Sequence, residues 1–233
     1  MPLKNGVALV NSYPKMPITV DCVIFGFDDK ELKVLLIRSD LKKYEGLWSL
    51  LGDVVNETEE IDVAAYRVLE QRTGMSDVYL DQVKTFSHPT RHPGGRVITV
   101  AYCSLLNVQH HNLKITDNEL HWHSVSSITE MAFDHLEILQ TCHKWLQKMV
   151  QENPVGFNLL PDKFSLRELQ NLYQAILGIE LDRRNFRKKF ANMNLLIDLD
   201  EMEEDVPHRP GKLYKFNFEK YNKSRRKFIG IDF

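Results

Sequence analysis

Long hydrophobic runs and cysteines are scarce in this chain of 233 residues. No apolar stretch approaches the roughly 18 residues that a membrane-spanning helix needs, so no membrane span is predicted. The three cysteines, Cys22, Cys103 and Cys142, lie far apart and show no C-x-x-C spacing. This argues against both a disulfide framework and a zinc site. The hydrophobic fraction is 43%, which supports a proper core and excludes wholesale disorder.

The N-terminus lacks the features of a secretion signal. It reads MPLKNGVALVNSYPKMP, without a basic segment followed by an apolar stretch and a cleavage site. We therefore expect a cytoplasmic protein, and we expect no cofactor.

A net charge of −2 hides an uneven distribution of charge along the chain. Residues 1–162 carry 15 Lys and Arg against 21 Asp and Glu, a balance of −6. Residues 163–233 carry 15 against 11, a balance of +4, and six of those 11 acids lie between residues 198 and 205. A basic segment beside an acidic domain points to a polyanionic partner for the C-terminal part only.

The pattern of apolar residues predicts an α/β/α sandwich with a mixed sheet in the first part of the chain. A helix is expected from Thr58, as N-cap, to Gly74, as C-cap residue, and a long amphipathic helix over 133–151. The predicted strands are 17–27 and 32–39, which form a hairpin, followed by 78–87, 96–106 and 119–125.

A break that contains Pro and Gly marks the predicted domain boundary. The expected division is a first domain over 1–151, a linker over 152–162 and a second domain over 163–233.

The second domain has the pattern of a winged helix-turn-helix. Ser165 and Glu168 form a capping box at the start of one helix, which Gly178 ends. Asp182 caps a second helix with phenylalanines on its core face and five cations elsewhere. Two strand-like segments follow, so that a basic helix and a β-hairpin lie side by side.

Residues 50–75 read LLGDVVNETEEIDVAAYRVLEQRTGM. They resemble the Nudix box, the metal-binding loop and helix of nucleoside-diphosphate hydrolases. In this resemblance Glu59 and Arg67 keep the family's residues, whereas Asp53 stands where the family has glycine. Arg67 is implied to orient the loop and the glutamates.

The box lacks the three carboxylates that the family places near the end of its helix. Val68, Gln71 and Arg72 occupy these positions. Glu59 alone cannot hold Mg²⁺ against water, and Arg72 brings a cation to the place of the metal. We therefore expect a binding cleft rather than an enzyme.

Nearly the full chain resembles the Nudix-type transcriptional regulators, which join a degenerate Nudix domain to a C-terminal winged helix. The resemblance rests on GRVITVAY (95–102), AFDH (132–135) and, most strongly, LQNLYQAILGIELDRRNFRKKF (169–190). It implies a homodimer on double-stranded operator DNA, released by a small-molecule effector. One branch of the family responds to L-arabinose and governs genes of pentose use, and this chain resembles it. The alternative effector is ADP-ribose, with control of NAD synthesis.

Polar side chains expected to face the cleft are the candidate effector ligands. Asp53 favours an uncharged sugar, because a carboxylate accepts hydrogen bonds from sugar hydroxyls, whereas Arg72 favours a phosphate. His121 and His123 lie on one face of a strand but lack a third ligand, so no metal site is predicted. The candidates are Arg38, Trp48, Asp53, Glu59, Arg91 and His92.

The basic helix and the hairpin after it carry the predicted DNA contacts. The N-terminal half of the helix is best placed for base edges, through Arg183, Arg184, Asn185 and Arg187. Lys188 and Lys189, together with Arg209 and Lys212 in the hairpin, complete the predicted set. Two other readings compete: an active Nudix hydrolase with a basic appendage, and a nucleic-acid-binding structural protein without an effector.

Overall fold

A ten-residue strand, β1 (Ile18–Phe27), organises the first part of the protein. The computed structural model describes residues 15–28, 30–39, 41–76, 78–108, 120–152, 159–207 and 209–224. β1 pairs antiparallel with β2 (Leu32–Arg38) and with β4 (Leu51–Val54), and parallel with β6 (Ile98–Asn107). The sheet is therefore mixed, as predicted.

The remaining strands of this sheet extend it on both sides. β3 (Trp48–Ser49) and β7 (Leu120–Ser124) pair with β2, and β5 (Asp81–Phe86) pairs with β6. The predicted hairpin and the later strands are thereby confirmed. None of the helices in the described ranges is long and apolar enough to cross a membrane.

The two faces of β1 bury different helices, because successive side chains of a strand point to opposite sides. Val20, Cys22 and Ile24 pack with helix α1 (Ile61–Thr73). Val23, Phe25 and Phe27 share a second cluster with helix α2 (His135–Glu152). The α/β/α arrangement is confirmed, and β1 reads as a nearly continuous apolar run because both of its faces are covered.

The box helix starts later than predicted. Its N-cap residue is Glu60, which makes no side-chain capping bond, so the assignment of Thr58 as N-cap was wrong. The physical reason is a turn: the Glu59 N–H donates to the Asn56 carbonyl at 3.3 Å, and the Asn56 N–H donates to the Glu59 carboxylate at 2.7 Å. The end was predicted correctly, since Gly74 is left-handed with φ of 71°.

A winged helix follows. Helix α3 (Leu166–Leu177) carries the predicted capping box, and helix α4 (Arg183–Met193) is capped by the Asp182 side chain. β9 (Leu196–Met202) and β10 (Lys212–Phe216) form the hairpin, and we call these strands with the turn between them the wing. Two elements were not predicted: β8 (Phe164–Ser165), which pairs with β10, and helix α5 (Phe218–Ser224).

The winged helix shares its hydrophobic core with the first part of the chain. Leu169, Leu172 and Phe190 belong to the same buried cluster as α2 and the sheet. The predicted linker at 152–162 falls largely on residues 153–158, outside the described ranges, so the domain division stays a prediction. What the structure adds is direct packing of α3 against α2 and β2.

Candidate functional site

Arg67 is the centre of the box. Its guanidinium donates to both Glu59 oxygens, at 3.0 and 2.8 Å, and to the Val54 carbonyl at 2.8 Å. It also reaches Asp53 at 3.1 Å. Hydrogen bonds from Arg67, and then from the Asn56 N–H, hold the pKa of Glu59 below its usual value. The implied role of Arg67 in orienting the loop fits these contacts, and both predicted carboxylate ligands are tied to it.

The far end of the box helix cannot hold the family's metal ion. Val68 is buried in the core, and Gln71 accepts from Arg67 at 3.4 Å. Arg72 lines the cleft next to the box. Across the described ranges, no three His, Cys, Asp or Glu side chains converge closely enough to hold a metal ion. The residues present at this end of the helix therefore do not suit the binding of Mg²⁺.

A cleft of about 230 Å³ lies between the start of β1, the ends of β2 and β4, and the start of α2. It brings together four of the predicted effector residues, Arg38, Asp53, Arg91 and His92. Two others, Trp48 and Glu59, are not among its lining residues. Four of the six predicted residues thus line one cleft, and their contact with an effector stays a prediction.

Trp48 packs outside the cleft for a clear physical reason. The guanidinium of Arg38 lies 3.7 Å from the centre of its ring, a cation–π contact. The rings of His123 and His121 lie 4.2 and 5.5 Å away, so the two histidines share one face as predicted. Trp48 thereby holds Arg38 in place from behind. Glu59 lies outside the cleft because its carboxylate is bonded to Arg67.

The wall of the cleft is a buried charged network. Arg91 forms a bidentate pair with Asp134, at 2.8 and 2.7 Å, and lies 3.6 Å from Asp21. The Thr99 hydroxyl donates a hydrogen bond to Asp21 Oδ2 at 2.6 Å. Arg91 and Asp21 are only 9% and 5% exposed. The charge of Arg91 is thus balanced by two carboxylates. Arg91 therefore stabilises the wall of the cleft and has little charge left over for a ligand.

His135, the first residue of α2, completes this wall. Its Nδ1 lies 3.0 Å from both the Leu50 nitrogen and Ser49 Oγ. Because the Leu50 N–H can only donate, Nδ1 accepts, and the neutral ring carries its proton on Nε2, 3.5 Å from Asp21. Burial keeps the pKa of His135 below its ordinary value. The start of α2 is therefore bonded directly to the box loop.

Two further positions show how closely the cleft is built. A side chain at Gly52 would place its Cβ 2.4 Å from Asp21 Oδ1, so only glycine lets β4 approach the network. Phe133 adopts a left-handed φ of 54°, which is unfavourable for a bulky residue. Its ring stacks on His92, with centroids 5.2 Å apart and planes at 11°. Backbone strain in a ligand-sized cleft is typical of functional sites.

Sequence reasoning missed most of this wall. One signal is present in the sequence, because AFDH (132–135) carries part of the resemblance and contains three of these residues. The others gave no signal, since a lone acid in an apolar strand and a lone threonine read as ordinary strand residues. The missed residues are Asp21, Ser49, Thr99, Phe133, Asp134 and His135.

The basic helix α4 presents its predicted residues to solvent. Phe186 and Phe190 are buried, and Arg183, Arg184, Asn185, Arg187 and Lys188 are exposed. Lys189 is half-buried, which limits its reach to a partner. The face opposite the phenylalanines is therefore a row of cations.

A groove of about 450 Å³ separates α4 from the wing. Arg183 and Arg187 line it from the helix, and Arg209 and Lys212 line it from the wing. Lys212 donates to Asp198 at 2.7 Å. All the predicted wing and helix cations except Arg184, Lys188 and Lys189 thus meet at one groove.

The fold and the two sites define a Nudix domain joined to a winged helix domain. Comparison with known families agrees: residues 15–142 match the NUDIX domain, and residues 156–216 match the NrtR DNA-binding winged helix domain. A protein of Acinetobacter baylyi described as an ADPR responsive transcriptional repressor NtrR is 30% identical over 217 residues, covering 91% of this chain and 86% of that protein. The chain belongs to the NrtR family of transcriptional regulators.

Solved structures give the same assignment. Shewanella oneidensis NrtR complexed with a 27mer DNA superposes with a TM-score of 0.75 at 29% identity, over 85% of this chain and 93% of that one. The NUDIX domain of the same protein, complexed with ADP ribose, has a TM-score of 0.53 at 27% identity, over 62% of this chain and 99% of that one.

The buried histidine of the cleft predicts acid sensitivity. Since His135 is held neutral when folded, its ordinary pKa of 6.5 applies only to the unfolded chain. The unfolded chain then binds more protons below about pH 6.5, so stability is full above that value and falls as the pH drops, by at most about 1.4 kcal/mol per pH unit for one group. Urea unfolding between about pH 7.5 and about pH 5.5 would measure this.

His123 and His143, whose pKa values burial also lowers, contribute in the same direction. The matched variant His135→Asn keeps an acceptor for the Leu50 N–H and should lose less stability over that range than the wild type. Equal losses in both proteins would contradict the buried-neutral assignment.

Proposed function

We propose that this protein is a DNA-binding transcriptional repressor whose cleft binds ADP-ribose and whose operator complex is weakened by that ligand. One observation carries the choice of ligand: Arg72 lines the cleft where a hydrolase of this fold has a metal-binding glutamate. The A. baylyi relative, an ADPR responsive repressor by name, and the S. oneidensis complexes with DNA and with ADP ribose support the proposal.

The charge of the cleft suits a pyrophosphate. Hydrolases neutralise the phosphates with Mg²⁺, whereas here the guanidinium of Arg72 stands at the end of the box helix. A second guanidinium, that of Arg38, lines the same cleft and is braced by Trp48. Arginine binds phosphate oxygens through pairs of charge-assisted hydrogen bonds. Two arginines can therefore hold a pyrophosphate without a metal.

The cleft also offers a surface for a base. His92 and Phe133 stack in parallel at its edge, and Phe133 also lies 4.9 Å from the His135 ring. Flat rings of this kind stack on nucleobases, and this contact is unavailable to a simple pentose. A ligand with both a base and a pyrophosphate would use both features.

L-arabinose, the effector first expected, loses its main physical support. That expectation treated Asp53 as a free acceptor for sugar hydroxyls, but the Asp53 carboxylate is engaged by Arg67 at 3.1 Å. The A. baylyi relative is described by its response to ADPR, and the S. oneidensis NUDIX domain was solved with ADP ribose. We therefore prefer the alternative, ADP-ribose.

We propose no turnover of this ligand. Hydrolysis in this fold requires carboxylates that hold a metal and orient water. Glu59 is locked to Arg67, and Val68, Gln71 and Arg72 cannot replace the missing carboxylates. The box thus keeps the loop geometry of an enzyme for binding alone.

Helix α2 offers a route from the cleft to the DNA-binding part. Its first residue, His135, is bonded to the box loop at Leu50. Two turns further on, His143 Nε2 donates to the Ile176 carbonyl at 2.9 Å, and Gln147 donates to the same oxygen at 3.1 Å. These bonds satisfy the open C-terminal end of α3. A shift of α2 on ligand binding would therefore move α3 and, with it, α4.

We also propose a homodimer that reads two half-sites about one helical turn apart, because a single winged helix makes few specific contacts.

We first predict that ADP-ribose releases the protein from DNA. A duplex enriched from a random pool by the full chain should be released by ADP-ribose and not by L-arabinose, in a fluorescence anisotropy titration. Arg72→Gln should keep duplex affinity and lose at least about tenfold in ADP-ribose response, since it removes a charge-assisted contact worth roughly 1.5–3 kcal/mol.

Lys144→Gln, an exposed cation on α2, is the matched control and should respond like the wild type. AMP formation with Mg²⁺ should stay at the buffer background. Release by arabinose alone, or AMP formation that disappears in Glu59→Gln, would contradict the proposal.

The second prediction concerns DNA. Arg184→Ala should weaken binding to the enriched duplex by roughly 1–3 kcal/mol if the side chain reads a base edge, and leave the thermal shift induced by ADP-ribose unchanged. Lys144→Ala is the control: it removes one positive charge outside the winged helix and should leave duplex affinity unchanged. The same titrations give the number of chains per duplex, with two expected. Equal affinity of Arg184→Ala and wild type would contradict the reading of a base edge by Arg184.

A further inference from the structure

The cations around the groove between α4 and the wing fall into two groups. Arg183, Arg184, Arg187 and Lys188 on α4 make no ion pair with any residue in the described ranges. Lys212 on the wing lies 2.7 Å from Asp198 and 3.7 Å from Asp200. The helix cations are open to a partner, and the wing cation is already engaged.

The same pattern recurs along β9 and the turn after it. Lys163 lies 2.6 Å from Glu201, and Arg167 lies 3.6 Å from Glu203. Glu203 also accepts the Gly211 N–H at 2.7 Å, which closes the base of the wing. Glu201 and Glu203 are therefore each paired with a cation, and one of these cations, Arg167, lines the groove.

Hydrogen bonding from Lys212 is the main reason that the pKa of Asp198 lies below its usual value, so the pair is fully charged at neutral pH. Both side chains are about half exposed. Exposed pairs of this kind contribute little to folding stability. Their effect is felt when a polyanion approaches, because the carboxylates repel it and hold the cation that would meet it.

We propose that the carboxylates of β9 act as an internal substitute for DNA phosphate, which masks the wing cation Lys212 and raises the selectivity of the protein for its operator. This inference rests on the proposed DNA binding. On random DNA, α4 makes no specific base contacts. Lys212 would then only replace a carboxylate partner with a phosphate, which adds little binding free energy. On the operator, the base contacts of α4 keep the DNA backbone close to the wing. Lys212 can then leave Asp198 and bind a phosphate.

Salt dependence makes this testable, because each phosphate neutralised by a cation steepens the logarithmic salt slope by about 0.9. The test variant is Asp198→Asn with Asp200→Asn, which keeps shape and acceptor oxygens, including the one that takes the Asp200 N–H. On a random-sequence duplex of about 27 base pairs, the length in the S. oneidensis complex, affinity should rise about fivefold or more at about 0.1 M salt. The slope should steepen by about one. Affinity for the enriched duplex should rise less.

The matched control is Glu204→Gln with Asp205→Asn, which removes the same charge from the same hairpin. Neither of these acids has an ion pair within the described residues. The control should change random-duplex affinity by less than about twofold. An equal rise in control and test variant would show general charge repulsion and overturn the proposal, as would no rise in the test variant.

Lys212→Gln supplies a second, independent test. With Asp198 and Asp200 intact it should lower random-duplex affinity by less than about twofold, and in the Asn background it should remove most of the gain. Equal effects in both backgrounds would rule out masking. If the wild type binds no enriched duplex at all, the proposed function fails, a result distinct from failure of the masking.

Discussion

The buried pair between Arg91 and Asp134 is the interaction on which the rest of the cleft depends. It joins the loop after β5 to the residue before α2. Asp21 lies 3.6 Å from Arg91 and accepts a hydrogen bond from Thr99. Removing Arg91 would leave both carboxylates without their cation, and breaking a buried pair in this way costs roughly 3–5 kcal/mol. The pair therefore fixes where α2 begins. Because α2 also bonds the end of α3, the position of the winged helix follows from the wall of the cleft.

The box illustrates how the shape of a catalytic motif can be kept without its metal-binding carboxylates. Arg67 holds Glu59, Asp53 and the Val54 carbonyl, so the loop remains in place without a metal ion. Gly52 permits the close approach of β4 to Asp21. What changed is the end of the helix, where Arg72 offers a positive charge in place of a negative one. In the proposed function, the cleft therefore holds a phosphate-bearing ligand and does not activate water against it.

Sequence patterns predicted the strands, the long helices and the winged helix, because these depend on apolar periodicity and on local caps such as Ser165 and Asp182. They failed at Thr58, where contacts between Asn56 and Glu59 form a turn first. They also failed for Asp21 and His135, which meet only through the tertiary fold. Trp48 was placed in the cleft because its cation–π contact with Arg38 leaves no mark in the sequence. The pairing of Lys212 with Asp198 and Asp200 also depends on the tertiary fold, although the sequence shows the cluster of acids itself.

In the proposed mechanism, the cleft and the basic helix are coupled through α2. Coupling of two binding sites is reciprocal: if ADP-ribose weakens DNA binding by a given factor, DNA weakens ADP-ribose binding by the same factor. Isothermal titration of ADP-ribose into the free protein, and into the protein saturated with its enriched duplex, measures this directly. We predict a weaker affinity in the complex, by the factor seen for DNA release. Equal affinities in the two titrations would contradict the coupling.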